Sequence, residues 1–450
     1  MAAKRLGIML DSSRNAVRNV ETLKKFITVI SGMGYNALML YTEDTYEIEG
    51  EDYFGHLRGR YTADEIKEID SFCRSLNIEL IPCIQTLAHL DSIFYWQHYA
   101  PVRDCNGIIM PEEQATYDLI EKMFYTISQN YTSKTVNIGM DEAEGLGMGK
   151  YFEAHGAIDR REIMKRHLKK VSEIAAKYGL TLYMWSDMFF KMVFGSYYID
   201  DKSKLENISD ISADIPENVR LIYWDYYNDD KQLYDNMIKG HKMIKEPIMF
   251  AGGAWSWMGF TPDNTLTLHN SEVAIKSCQE NGIDDILITM WGDNGGECSL
   301  FALLPSLYAI SRFSRGEYDM TAIKEDFEKT YGIAFDEFMK IDLYGTPRGY
   351  ETRPLNPEKY MLFNDLFLGT FDYSVKEGDG KLYGNEAQKF SSLCENKEYG
   401  YIFNTQKLLC EALEIKYELG VCTKNAYDSG DREQVKALIS VYGELIKRLE

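Results

Sequence analysis

The chain has 450 residues, of which 45% are hydrophobic and 26% charged, the proportions of an ordinary globular protein and not of a disordered or fibrous one. Its 49 Lys+Arg against 70 Asp+Glu leave a net charge of −21. With no cluster of basic residues, that balance argues against nucleic acid or an anionic membrane as partner and fits a neutral or polar substrate. No stretch approaches the roughly 18 consecutive apolar residues of a membrane span, and MAAKRLGIMLDSSRN lacks the apolar core of a signal peptide. The eight cysteines are scattered without a CxxC or metal-like spacing, which reads as reduced thiols in a cytoplasmic protein.

Taken in chain order, short apolar runs alternate with longer segments of helical period. The runs are 6–10, 37–41, 79–84, 136–140, 181–185, 220–224, 248–251 and 286–291. The face Val17, Val20, Leu23, Ile27, Ile30 predicts a first helix ending at Gly32 and Gly34. Thr62-Ala-Asp-Glu65 is a capping box opening another. Pro111 marks a further start, and Gly179 and Gly282 close two more. Eight βα repeats, with no GxGxxG or GxxxxGK, predict a (β/α)8 TIM barrel over residues 1–315 rather than a doubly wound sheet. Residues 316–450 read as a mostly α-helical C-terminal domain, with proline-containing connections near Pro347 and Pro354 to Pro357. The aromatic segment around Tyr360 is read as packing, with a role in a homodimer as the alternative.

In such a barrel, catalytic residues come from the C-terminal ends of the strands and the loops after them. Those positions hold Asp11 and Arg14; Thr42, Glu43 and Asp44; Gln85 and His89; Asp141 and Glu142; Trp185, Ser186 and Asp187; Tyr223, Trp224 and Asp225; Trp255 and Trp257; and Trp291 and Asp293. Tryptophan and tyrosine stack on the apolar faces of sugar rings, and carboxylates with Arg bond the hydroxyl edges, so this rim suits a pyranose. Cleaving a glycosidic bond needs one carboxylic acid to protonate the leaving oxygen and a second group to stabilise the anomeric cation, which the adjacent Asp141 and Glu142 could supply. Taken alone, His89 is equally a structural histidine and Arg14 a surface ion-pair partner. Trp96, away from any strand end, reads as packing. Seven histidines without HxH or HExxH offer no metal site, so neither metal nor cofactor is expected.

Asn137-Ile-Gly-Met-Asp141-Glu142 resembles the H/N-I-G-G/M-D-E signature of family 20 glycoside hydrolases, the β-N-acetylhexosaminidases. Tyr61-Thr-Ala-Asp-Glu-Ile, Asn77-Ile-Glu-Leu-Ile-Pro82 and Trp291-Gly-Asp293 are similar to further elements of that family. Cys83 and Ala88 depart from it, standing where an acidic residue and a glycine are expected. The resemblance implies exo cleavage of a terminal GlcNAc or GalNAc by a retaining mechanism in which the substrate's own 2-acetamido oxygen attacks the anomeric carbon, giving an oxazolinium ion. By that resemblance Glu142 is the general acid and base, Asp141 orients the acetamido N–H, and Tyr223, two residues before Asp225, bonds the acetamido oxygen. Trp185, Trp255 or Trp257, and Trp291 wall the pocket, while Arg14 and Asp293 hold ring hydroxyls; Asp44, Asp225 and His89 complete the substrate-binding set. Burial against tryptophan and the charge of Asp141 are expected to favour the protonated form of Glu142. The alternatives are a two-carboxylate retaining β-glycosidase with Asp225 or Asp293 as nucleophile, and an inactive sugar-binding barrel.

Overall fold

Eight parallel strands close on themselves in sequence order. They are β1 (Arg5–Asp11), β2 (Ala37–Glu43), β3 (Glu79–Ile84), β4 (Thr135–Asn137), β5 (Thr181–Trp185), β6 (Val219–Trp224), β7 (Met249–Gly253) and β8 (Asp285–Met290). This computed structural model describes residues 3–14, 16–200, 202–293, 295–343 and 357–450. The connection expected at Pro347 and Pro354 lies outside the described residues.

The helices between the strands begin and end where local chemistry dictates. In α1 (Val20–Met33) the Asn19 side chain accepts from Thr22 N–H, and Gly34 closes the helix in the left-handed region at φ 99°. Its buried stripe is Leu23, Phe26, Ile27, Ile30 and Met33; each such side chain contributes roughly 1.5–3 kcal/mol relative to exposure. The capping box of α2 (Ala63–Ser75) is present in full, Thr62 bonding Glu65 N–H and Glu65 bonding Thr62 N–H. The succession continues with α3 (Gln114–Asn130), α4 (Lys150–His155), α5 (Arg160–Ala176), α6 (Asp187–Phe194), α7 (Lys231–Ile244), α8 (Asn264–Glu280) and α9 (Leu304–Phe313). Pro111 lies ahead of α3 and not at its first turn.

The barrel interior is filled by alternate residues of successive strands: Met9, Met39, Tyr41, Ile81, Cys83, Tyr183, Trp185, Ile222, Met249, Ala251 and Leu287, with Trp224 and Trp291 packed against them. That period of two is the pleat of the strand, so residues between these positions face the helices. Strand β4 stops at Asn137, short of the expected Met140, because Gly139 and Met140 take φ of 70° and 69° and leave the extended region. At the other end of the strands, Arg5 pairs with Asp285 at 3.0 Å and Glu79 at 3.1 Å, fastening β1 to β8 and reaching β3.

Contacts divide the chain into two units: residues 1–254, 267–292 and 307–318 in one, and 255–266, 293–306 and 319–450 in the other. The second unit carries α10 (Met320–Tyr331), α11 (Phe335–Phe338), α12 (Pro357–Phe363), α13 (Asp379–Lys389), α14 (Gly400–Lys416), α15 (Leu419–Asp428) and α16 (Arg432–Leu449). Phe338 is fully buried there, edge-on to Phe327, Tyr399 and Phe403. Among the described residues, no helix is long and apolar enough to cross a membrane.

Candidate active site

The strand ends of the barrel unit carry a connected set of polar groups. Asp11, closing β1, accepts from Ser13 N–H at 2.8 Å and Ser13 Oγ–H at 2.7 Å, which turns the chain and brings Arg14 back toward the barrel. The Arg14 guanidinium then lies 3.5 Å from Asp11 and 3.7 Å from Glu43. The β2–β3 register shifts between Tyr41 and Glu43, where Glu43 takes φ 47°, and the Glu43 side chain accepts from Tyr41 O–H at 2.9 Å. Burial pushes Glu43 up to about 7 against the opposing charge of Arg14. Asp44 lies 3.4 Å from Arg58.

Gln85, just past β3, holds this set to the next. Its Nε2 donates to Tyr41 Oη at 3.1 Å and to Asp141 Oδ1 at 2.9 Å, and its Oε1 accepts from Met140 N–H at 3.2 Å. A Cβ at position 139 would come within 2.0 Å of Gln85 Oε1, and φ there is 70°, so Gly139 is required on both counts. His89 Nε2 lies 3.3 Å from Asp141 Oδ2 and 3.8 Å from Glu142 Oε2. Burial opposes the His89 charge, but Asp141, Glu43 and Glu142 outweigh it and raise His89 to about 9. Burial likewise works against the Asp141 carboxylate, yet the His89 charge and the Gln85 hydrogen bond hold it below the ordinary carboxylate value. Asp141 is therefore a buried, ionised carboxylate at neutral pH.

Glu142 sits at φ 49°, unusual for a residue with a side chain. Its N–H donates to Asp187 Oδ2 at 3.1 Å, and Asp187 in turn is 3.0 Å from Lys191, which also reaches Glu144 at 2.7 Å. Burial, with Asp141 nearby, pushes Asp187 up to about 6. The Glu142 side chain is 52% exposed and faces His89, not buried against tryptophan as expected from the sequence. The turn that ends β4 leaves its side chain at the rim. The ligand atoms of His89, Asp141 and Glu142 lie within 4.8 Å of one another, a spacing that could hold a metal ion; at neutral pH His89 brings its own positive charge there.

Aromatic rings gather at the same strand ends, and Tyr41 and Tyr226 feel the charge of Asp141. Trp185 is 1% exposed and Trp291 lies 6.0 Å from it, with Tyr41 edge-on to Trp291 at 4.8 Å. Tyr226 stacks on Trp224 at 5.3 Å, its hydroxyl meets the side chains of Trp291 and Thr289, and it feels the charge of Asp141. Tyr223, in contrast, is turned to the helix side. Because Ile222 and Trp224 face the barrel interior, the pleat sends Tyr223 outward, where its ring packs on His241 and Phe250 and its hydroxyl donates to Asp225 at 3.0 Å. Asp225 accepts also from the N–H groups of Tyr227 and Asn228 and from the Asn228 side chain, so it is occupied in shaping the turn after β6.

Trp255, Trp257 and Asp293 belong to the second unit, where the two tryptophans stack at 4.5 Å and Asp293 is exposed. Arg14, His89, Asp141, Glu142, Trp185 and Trp291 thus come together in the first unit, joined by Glu43, Gln85, Asp187 and Tyr226. Each of these last four stands at a strand end, a position legible in the sequence, whereas the contacts they make there are not.

A parallel eight-stranded barrel with an adjacent Asp and Glu braced at its strand ends, beneath tryptophans, is the architecture of a glycoside hydrolase. Residues 5–251 match the catalytic domain of glycosyl hydrolase family 20, and residues 336–450 match the glycoside hydrolase 20C C-terminal domain. The chain belongs to glycosyl hydrolase family 20. It is similar to Hexosaminidase D of Bos taurus, 22% identical over 250 residues, covering 52% of this chain and 65% of that protein. Against Hexosaminidase D of Homo sapiens it is 22% identical over 225 residues, covering 48% and 44%. The chain thus spans less than two thirds of the length of either relative. Among solved structures, it shares its fold with a GH20 exo β-N-acetylglucosaminidase from Vibrio harveyi, at TM-score 0.56, 16% identity and coverage of 76% of this chain and 58% of that one. A β-N-acetylhexosaminidase from Bacteroides fragilis is similar, at TM-score 0.54, 17% identity and coverage of 69% and 66%.

Proposed function

We propose that this chain is an exo-acting β-N-acetylhexosaminidase that removes terminal GlcNAc or GalNAc from glycans with retention, through an oxazolinium ion formed by the substrate's own acetamido group. The observation that carries this reading is the bracing of Asp141 beside Glu142. An ionised Asp141, held by Gln85 and His89, accepts the acetamido N–H and stabilises the positive charge that develops as the acetamido oxygen closes on the anomeric carbon. Glu142, at the rim, gives its proton to the leaving oxygen and then takes one from the water that opens the oxazolinium.

Tyr226 takes the place expected of Tyr223: its hydroxyl lies on the side of Asp141 and Trp291, while that of Tyr223 is committed to Asp225. Trp185 and Trp291 pack the acetamido group, and Arg14 with Glu43 holds ring hydroxyls. The roles of Asp44, Trp255, Trp257 and Asp293 rest on the family resemblance. The rival scheme with Asp225 as nucleophile is disfavoured, because that carboxylate is already hydrogen-bonded to Tyr223, Tyr227 and Asn228. A cytoplasmic location is supported by the eight cysteines, no two of which are bridged.

The test compares nitrophenol release from the β-N-acetylglucosaminide and the plain β-glucoside. Turnover confined to the acetamido sugar supports the reading, and comparable turnover of the glucoside overturns it in favour of a carboxylate nucleophile.

A further inference from the structure

Beside Glu142, with neither Asp141 nor a tryptophan on its lining, is a cavity of about 440 Å³, within the range of roughly 300–1,000 Å³ typical of ligand sites. His89 and Glu142 form one wall, and the loops after β3 and β4 form the rest. A group leaving from the acid Glu142 has to depart into space that the ring-binding residues do not fill, and this cavity supplies it. We propose that the cavity receives the leaving group and that Asp91 selects it by charge, favouring an amino sugar with a free ammonium group over a uronic acid. The proposal rests on the hexosaminidase reading above.

The walls are tied together before any ligand arrives. Leu90 N–H donates to Gly107 O at 3.0 Å, Ile108 N–H to Cys105 O at 2.8 Å, and Cys105 Sγ to Gly145 O at 3.2 Å. A Cβ at position 107 would come within 2.2 Å of Asp91 Oδ2, so Gly107 leaves the space the carboxylate occupies. The other titratable groups at the cavity have partners: Glu144 pairs with Lys191 at 2.7 Å, and His89 lies 3.3 Å from Asp141 and 3.8 Å from Glu142. Asp91, exposed, has no ion pair or side-chain hydrogen bond among the described residues. A cavity bounded by one uncompensated carboxylate lowers the energy of a cation placed in it and raises that of an anion. Among the described residues no tryptophan, tyrosine or phenylalanine lines the space, so discrimination falls to charge and hydrogen bonding, with Asn106 also on the lining, and not to stacking on a large ring.

The test uses three disaccharides with the same terminal β-GlcNAc and, on the reducing side, glucosamine, N-acetylglucosamine or glucuronate. Each kcat/KM is divided by the same protein's value on the aryl N-acetylglucosaminide, which removes any general change in the catalytic groups. The wild-type protein is expected to rank ammonium above acetamide above carboxylate. Asp91→Asn should shrink the ammonium-to-acetamide ratio about fivefold, the size of a partly exposed charge pair, and Asp91→Glu should restore it. Gly107→Ala, which displaces the carboxylate, should shrink the ratio as Asn does. Ratios unchanged by Asp91→Asn, or a wild-type preference for the uronate, with aryl turnover intact, overturn this proposal alone. Absence of turnover on the aryl N-acetylglucosaminide in the wild type overturns it together with the reading on which it rests.

Discussion

The backbone N–H of Glu142 donates to the carboxylate of Asp187 at 3.1 Å, across the gap between β4 and β5. This bond fixes a residue at φ 49°, a conformation that costs an ordinary side chain about 1–2 kcal/mol. Hydrogen bonds to a charged acceptor contribute about 1.5–3 kcal/mol, enough to hold it. Asp187→Ala should therefore lower kcat by about tenfold or more, since a misplacement of about 1 Å has effects of that order, with a smaller change in KM. Asp187→Asn, which keeps an acceptor oxygen, should recover much of the loss. Steady-state kinetics on the aryl N-acetylglucosaminide decides it, and equal, wild-type kcat in both variants would remove Asp187 from the account.

In the mechanism proposed above, replacing Glu142 by Gln removes the proton donor and little else. The rate on glycosides with poor leaving groups should fall by about 10²–10⁴, while activated nitrophenyl glycosides, whose departing phenolate needs little protonation, should lose much less. A Brønsted plot of log kcat/KM against leaving-group pKa reads this as a steeper slope in Glu142→Gln. An identical slope to wild type would count against Glu142 as the acid.

The two tyrosines near the end of β6 should separate cleanly. Tyr226→Phe removes a donor on the side of Asp141 and should lower kcat by about a hundredfold, as for loss of one preorganised donor. Tyr223→Phe breaks a buried bond to Asp225 and should instead cost about 1 kcal/mol in stability, measured by urea unfolding, with activity near wild type. The opposite pattern would return the substrate role to Tyr223.

His89 supplies a pH dependence of stability. Its pKa is raised from 6.5 to about 9 in the folded chain, so its contribution is fully present below pH 6.5 and is lost as pH rises through 9. Urea unfolding of the wild type should weaken between pH 6.5 and 9 relative to His89→Gln, in which that group no longer titrates. Parallel curves for the two proteins over this range would contradict the contact with Asp141.

The barrel was legible because buried parallel strands read as apolar runs punctuated by caps and glycines. Runs such as 79–84 and 181–185 coincide with β3 and β5. The motif around Asp141 and Glu142 is equally plain, but the apolar run extends past the true end of β4, since Gly139 and Met140 look apolar in sequence and only their left-handed geometry ends the strand. The Tyr-x-Asp resemblance points to Tyr223, whereas the pleat of β6, with Ile222 and Trp224 inward, turns it outward. A register shift at the end of β2, which has no mark in the sequence, puts Glu43 beside Arg14, while Asp44 pairs with Arg58. Gln85 is legible as a strand-end residue, but its contacts are not, because its partners Tyr41, Met140 and Asp141 lie far along the chain and meet only when the barrel closes.

The central claim, that the substrate's acetamido oxygen is the nucleophile oriented by Asp141, is tested most directly by changing that oxygen's electron density. Aryl glycosides bearing N-acetyl, N-fluoroacetyl, N-difluoroacetyl and N-trifluoroacetyl groups differ little in size but progressively weaken the amide oxygen as a nucleophile. A steep decline of kcat/KM along this series, less steep in Asp141→Asn, is the predicted result. A flat series would contradict the account and require a nucleophile belonging to the protein.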